Sequence, residues 1–313
     1  MKNRITQILG TSYPLLQGPM RLITLGEVAA AVSNSGGFGQ IAASGISSQQ
    51  LQAEVGKARE LTNRPFGINI PLHRPNALEA LEIAIGMGIK TITTSGTDPA
   101  KVIDRVKRAE LKVLHKVSTL QMALKAEAAG VDGVIATGYE AGGHMGRTDV
   151  TTFCLVPQLA NALKIPVVAA GGIADARGLL AVLALGAEGV EVGTRFLATK
   201  ECPVPDFFKQ LVLEAKCDST VVLGKKKAMP IRVLRNKAAE TISRFQEDEE
   251  FNAIGDKMYV QSGGDQDNVL LPCGQAVGLC KVIKSIGEVL PEMMEGARLL
   301  SFQLYSLLEG DVE

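Results

Sequence analysis

Between residues 14 and 192 a short run of β-branched and other apolar residues, bounded by Gly, Ser or Asn, recurs eight times, each run but the last followed by a stretch with helical spacing. The strand-like runs are residues 14–18, 37–42, 66–70, 91–95, 112–117, 133–137, 166–170 and 189–192. Helical spacing covers residues 25–35, 48–62, 76–88, 99–109, 119–130, 151–163 and 175–186. Strand and helix alternating at about 25 residues per unit imply parallel pairing with right-handed crossovers. Eight such units close a (β/α)8 barrel. The alternative, an open doubly wound sheet, needs fewer strands and normally carries GxGxxG after the first. Here the first strand runs into QGPM from Gln17. The expected fold is therefore α/β, a (β/α)8 TIM barrel over residues 1–202.

The rhythm breaks after Phe196. Residues 203–265 hold helical runs, the lysines Lys225, Lys226 and Lys227, an acidic cluster at residues 247–250 and SGGD from Ser262. They predict a small helical insertion over the barrel mouth after strand eight, with the charge clusters as solvated faces. Residues 266–313, apolar from Gly274 through Leu308, return to the barrel as its eighth outer helix.

Composition narrows the function. With 33 basic and 33 acidic residues the chain has no net charge, and so lacks the positive field that nucleic acid binding needs. The first residues contain no signal-peptide apolar core, and no run of about 18 apolar residues exists to span a membrane. A cytoplasmic protein without membrane or nucleic acid partners is expected. The five cysteines are scattered and form no CxxC pair, as reduced structural thiols would. Neither metal-ligand spacing nor a Walker, HExxH or GxSxG motif is present.

In such a barrel the active site lies at the C-terminal ends of the strands, and the loops after strands seven and eight commonly grip a phosphate. The seventh strand is followed by AAGGIAD, with Gly171 and Gly172, and the eighth by GTRF, with Gly193 and Thr194. These glycines allow backbone N–H groups to approach a phosphate, and Thr194 adds a hydroxyl. Taken singly, each glycine pair is also ordinary strand-to-helix punctuation. After the sixth strand comes GYEAGGHMG, where His144 follows Gly142 and Gly143. A histidine with so little bulk around it suits an acid/base group presented to a planar ligand; the alternative is a tight turn with a surface His. Gly18, Pro19 and Met20 after strand one, and Asn69 in strand three, suit the edge of a flat polar ring. Met20 as core filler and Asn69 as a cap of its own turn are the plainer readings. His115 reads as a hydrogen-bonded core residue and His73 as solvent-facing. A phosphate-bearing organic cofactor and one histidine is the constellation that remains.

These motifs, with SGGFG from Ser35, RPFGINI from Arg64, EAGGHMG from Glu140, IPVVAAGGIAD from Ile165, LGAEGVEVGTRF from Leu185, PIRVLRN from Pro230 and GQAVGL from Gly274, span most of the chain. Together they resemble the FMN-dependent barrel enzymes that include enoyl-acyl-carrier-protein reductase II and nitronate monooxygenase, also called 2-nitropropane dioxygenase. The resemblance implies FMN, bound by Gly18, Pro19, Met20, Asn69, Gly142, Gly143, Gly171, Gly172, Gly193 and Thr194, and places His144 as the catalytic histidine. It also implies NADH or NADPH as co-substrate and an acyl substrate, free or on a carrier protein, and it is compatible with a homodimer. In the first reaction it implies, hydride reaches the β-carbon of an enoyl thioester and His144 protonates the α-carbon. The second oxidises a nitronate with O2, and a third reading is a flavin-binding protein without turnover. The chain departs from the enoyl reductase pattern at two places: QGPMRL stands where those enzymes read QGGMAW, and IAASG where they read IGxG. Both departures fall on the substrate side of the flavin. The PIRVLRN and GQ elements are closer to the enoyl reductase branch.

Overall fold

The computed structural model describes residues 2–225, 230–244 and 265–309. All eight expected strands form: β1 (Leu15–Gln17), β2 (Gly39–Ala42), β3 (Phe66–Pro71), β4 (Thr91–Ser95), β5 (Lys112–Val117), β6 (Gly133–Thr137), then, after the two-residue β7 (Gly143–His144), β8 (Val167–Ala170) and β9 (Gly189–Val192). Apart from β7 they make one sheet in the order β1-β9-β8-β6-β5-β4-β3-β2, every pair parallel. The backbone pair Leu16–Phe38 closes the ring between β1 and the residue before β2. This is the (β/α)8 barrel that the alternating pattern predicts.

The helices follow the apolar spacing closely: α1 (Arg4–Leu9) precedes the barrel, and α2 (Gly26–Asn34), α3 (Ser48–Leu61), α4 (Ala77–Gly86), α5 (Ala100–Arg108), α6 (Leu120–Ala129), α7 (Thr152–Ala162) and α8 (Ala176–Ala184) surround it. Their starts are set by local chemistry. Ser47 and Gln50 form a reciprocal capping box on α3, and Asp175 takes the N–H groups of Arg177 and Gly178 at α8. Between sheet and helices lies the main core, which includes Leu15, Ile41, Ile68, Ile92, Val113, Val134 and Val190. Inside the barrel a smaller cluster, Leu16, Phe38, Leu114, Ile135 and Val168, is sealed from below by Ile5 and Leu9 of α1. The apolar layer fills the lower barrel and leaves the upper end for polar groups.

Beyond β9 come the one-turn α9 (Thr194–Leu197), α10 (Asp206–Glu214), β10 (Thr220–Leu223), β11 (Ile231–Leu234) and α11 (Lys237–Ser243). The expectation of a helical insertion is corrected here, because the segment carries two strands. β10 pairs antiparallel with β11, and β11 pairs antiparallel with β7, so the insertion takes the loop after β6 into a three-stranded sheet. Phe208, Val212, Leu234, Leu271 and Val277 pack with Ile23 and Leu197 in a second core between insertion and barrel. Lys225 lies in a turn after β10 and pairs with Asp149. Lys226, Lys227, the acidic cluster at 247–250 and residues 262–264 lie outside the described residues. The last described helix, α12 (Ile286–Glu309), packs against α8 and α2.

Candidate active site

A cavity of about 600 Å³ opens at the C-terminal end of the barrel, a size suited to a cofactor head and a small substrate. His144 and all ten residues assigned to cofactor binding line it: Gly18, Pro19 and Met20, Asn69, Gly142 and Gly143, Gly171 and Gly172, and Gly193 with Thr194. Among the described residues no group of three His, Cys, Asp or Glu is placed to hold a metal.

Two glycine turns form one side. Gly171 and Gly172 have φ of 102° and 77°, a region that side chains resist, so the turn after β8 needs both. Gly193 has an ordinary φ of −111°, and a Cβ there would meet nothing within 4 Å. Its lack of a side chain is not demanded by backbone or packing and leaves room on the cavity side. Gly18 serves differently, since its Cβ would sit 3.1 Å from Gly193 Cα and drive the two turns apart. The Thr194 hydroxyl accepts from the Gly274 N–H at 2.8 Å and still has a proton to donate.

The loop after β6 is held from three directions. The Glu140 carboxylate accepts from the Thr152 N–H at 2.8 Å and from its hydroxyl at 3.0 Å, and that hydroxyl also lies 2.9 Å from Gly171 O. Behind Gly142 there is no spare volume, because a Cβ would come within 2.3 Å of Cys273 C. From the insertion, buried Arg232 donates to Tyr139 O at 2.8 Å and to Thr220 Oγ1 at 3.0 Å while its guanidinium stacks 4.7 Å from the Tyr139 ring centre. His144 itself is exposed, in register with Ile231 of β11, and Gly143 at φ 69° turns the chain into it. The histidine expected in a bare turn is thus on a short strand whose partner belongs to the insertion.

Polar groups fill the barrel beneath the cavity. Asn69 donates to Thr93 Oγ1 at 2.9 Å, which excludes the reading in which it caps its own turn. The chain continues through Thr93 to Gln40 and from Gln40 Nε2 to Glu191 at 3.2 Å, and Glu191 is ion-paired with Lys116. Lys116 and Glu191 line the cavity floor and were not among the expected site residues. A sequence signal existed: a lysine alternating with Leu114 in KVLHKV and a glutamate inside GVEV interrupt otherwise apolar strands.

The remaining titratable groups separate cleanly. His115 is buried, 2.8 Å from Thr94 Oγ1, on the strand face opposite Leu114 and Lys116; desolvation pushes its pKa down to about 4, with Asp98 opposing weakly. It is the core histidine expected. His73 is exposed as expected but also lines the cavity. Cys273 reaches the cavity too, yet burial holds its thiol strongly protonated, as it does for Cys202 and Cys280, both pushed up to about 11.

Residues 2–296 match the family model for nitronate monooxygenase. The chain belongs to the nitronate monooxygenase family. Members are flavin-dependent oxidoreductases. A probable nitronate monooxygenase of Staphylococcus aureus is 33% identical over 79% of this chain and 82% of that protein. The Mycobacterium tuberculosis (3aS,4S,5R,7aS)-5-hydroxy-7a-methyl-1-oxo-octahydro-1H-indene-4-carboxyl-CoA dehydrogenase is 35% identical over 77% of this chain and 68% of that protein. In structure, FabK from Thermotoga maritima superposes with a TM-score of 0.93 at 34% identity, covering 98% of this chain and 99% of that one. Among the described residues no helix of this family member is long and apolar enough to cross a membrane.

Proposed function

We propose that this member of the family is an FMN-dependent reductase of the C=C bond of an enoyl thioester, using NADH or NADPH. One observation carries the reading: a single cavity brings His144, both glycine turns and Asn69 together. The likeness to FabK over nearly the whole chain supports the enoyl reductase branch, and the mycobacterial relative is named for a CoA ester. The cavity fits the cofactor. Gly193 offers open space where a phosphate would approach, and the buried Thr97 and Thr137 hydroxyls, both on the cavity wall, have no hydrogen-bond partner among the described residues.

The chemistry supplied by bound FMN is hydride transfer from the nicotinamide to the acceptor carbon. Gly171, Gly172, Gly193 and Thr194 would hold its phosphate, while Gly18, Pro19, Met20, Asn69, Gly142 and Gly143 would surround the ring. His144 holds the proton that goes to the α-carbon of the thioester. Glu140 and Arg232 keep the His144 loop in place, and the α1 plug with the apolar barrel layer closes the site from below.

A second reading, oxidation of a nitronate with O2, is supported by the family model and the staphylococcal relative. Anaerobic stopped-flow separates the two. Enzyme reduced by NADH or NADPH is mixed with a crotonyl thioester, or the oxidised enzyme with a nitronate and air. Rapid reoxidation by the thioester is the expected result; turnover with the nitronate alone would replace this reading with the second.

A further inference from the structure

An amide side chain can turn over without changing shape, so its neighbours decide which end faces which way. Beneath the cavity one group fixes the next. Gln40 Nε2 has two protons, and its two partners, the Gln17 main-chain carbonyl at 2.7 Å and the Glu191 carboxylate at 3.2 Å, only accept. Turned over, Gln40 would set its oxygen against both. Its Oε1 therefore points to Thr93 and takes the single hydroxyl proton of that residue at 2.5 Å. With that proton spent, Thr93 Oγ1 can only accept. The Asn69 atom 2.9 Å from it is the amide nitrogen, whose second proton faces the Thr93 carbonyl at 3.5 Å.

The group left over is the Asn69 carbonyl oxygen. It takes no hydrogen bond from the described residues and opens onto the cavity that Asn69 lines. Both anchors of Gln40 are themselves held. Gln17 accepts from the Gln40 N–H at 3.1 Å and donates to the Gly18 carbonyl, and Glu191 gives its other oxygen to Lys116. Gln17, Gln40, Thr93 and Asn69 are all buried, where an unmatched donor or acceptor is costly. Neither Gln40 nor Thr93 lines the cavity, so each reaches a ligand only through Asn69.

We propose that Gln40, anchored by Gln17 and Glu191, is a positioning residue: through Thr93 it turns the Asn69 carbonyl toward the cavity, and the site thereby selects a ring edge that carries an N–H donor. In a flavin that edge is the imide, an N–H between two carbonyls. The choice of ligand rests on the FMN reading above; the direction of the hydrogen bonds does not.

Two measurements test this. Neutron diffraction from deuterium-exchanged crystals of the full chain locates the deuterons. The Thr93 hydroxyl deuteron should lie on the line to Gln40, and both Asn69 amide deuterons on the Thr93 side; a Thr93 deuteron directed at Asn69 would overturn the proposal. Fluorescence titration of the flavin-free full chain compares FMN with 3-methyl-FMN, in which a methyl group replaces the imide proton. Wild type should prefer FMN by about tenfold, the worth of one well-placed hydrogen bond. Gln40→Leu and Thr93→Val, which free Asn69 to turn over, should bring the two flavins within about threefold by weakening FMN alone. Thr93→Ser, which keeps the hydroxyl, should retain the preference. Equal weakening of both flavins in the breaking variants is the mark of a merely structural role and would overturn the proposal. So would wild-type indifference to the methyl group, or a preference unchanged in both breaking variants, which would assign it to the bulk of the methyl. If the deuterons lie as expected and wild type binds neither flavin, the hydrogen-bond relay stands and the FMN reading falls.

Discussion

His144 and Gly193 carry different loads, and substitution separates them. His144→Ala should leave FMN bound and its reduction by NADH or NADPH intact, and slow reoxidation by the thioester by about 10² to 10⁴-fold, the range for losing a positioned general acid. Rapid mixing of each half-reaction checks this, and an unchanged second half would make His144 a turn residue only. At Gly193 a valine meets no protein atom near its Cβ and an ordinary φ, so the barrel should keep its apo melting temperature while FMN affinity drops. Parallel melting of apo wild type and Gly193→Val, with a fluorescence titration of FMN, gives both numbers. His115 acts on stability instead. Its folded pKa of about 4 lies below the ordinary 6.5, so above pH 6.5 it costs nothing. Between pH 6.5 and 4 the unfolded chain takes up a proton that the native barrel refuses, and stability is lost as pH falls, by about 3 kcal/mol in all. His115→Gln should lack this part of the acid limb in urea melts taken at pH 7 and pH 4.5; matching limbs would mean that the imidazole titrates normally in the fold.

At the scale of elements, the insertion is a brace for the loop after β6. Arg232 is its principal contact, joining the Tyr139 carbonyl and ring to Thr220 of β10. Arg232→Ala strips the partly buried Tyr139 carbonyl of its donor, a loss of roughly 1–3 kcal/mol. The expected result is faster amide exchange over residues 139–146 and lower kcat with FMN still bound; exchange unchanged there would remove the bracing role. None of this was legible in the sequence, although the barrel was. Interior parallel strands such as Gly133–Thr137 and Val167–Ala170 are apolar runs between turn signals and declare themselves. β10 and β11 are four residues each, and β7 is two, too short for any period, and the pairing of β11 with β7 joins Ile231 to His144 and Arg232 to Gly143 from distant parts of the chain. The glycine turns and His144 could be found because their spacing follows strand ends. Lys116 and Glu191 escaped because the strands were read for their apolar content.

For the whole molecule, zero net charge has a practical consequence. No long-range field draws anions to the surface, so any salt dependence of substrate capture reports charges at the mouth. Stopped-flow capture of a charged and a neutral thioester at several ionic strengths reads it, and equal slopes for the two would leave the mouth without a net attracting charge. The pairing of β7 with β11 also bears on how such enzymes can diversify. Because the strand that holds His144 is completed by a segment from beyond the barrel, the two cannot be inherited or exchanged separately. A chimera that takes residues 203–273 from another member must take its β6–α7 loop as well, and one that carries only the insertion should fold as a barrel with its histidine adrift.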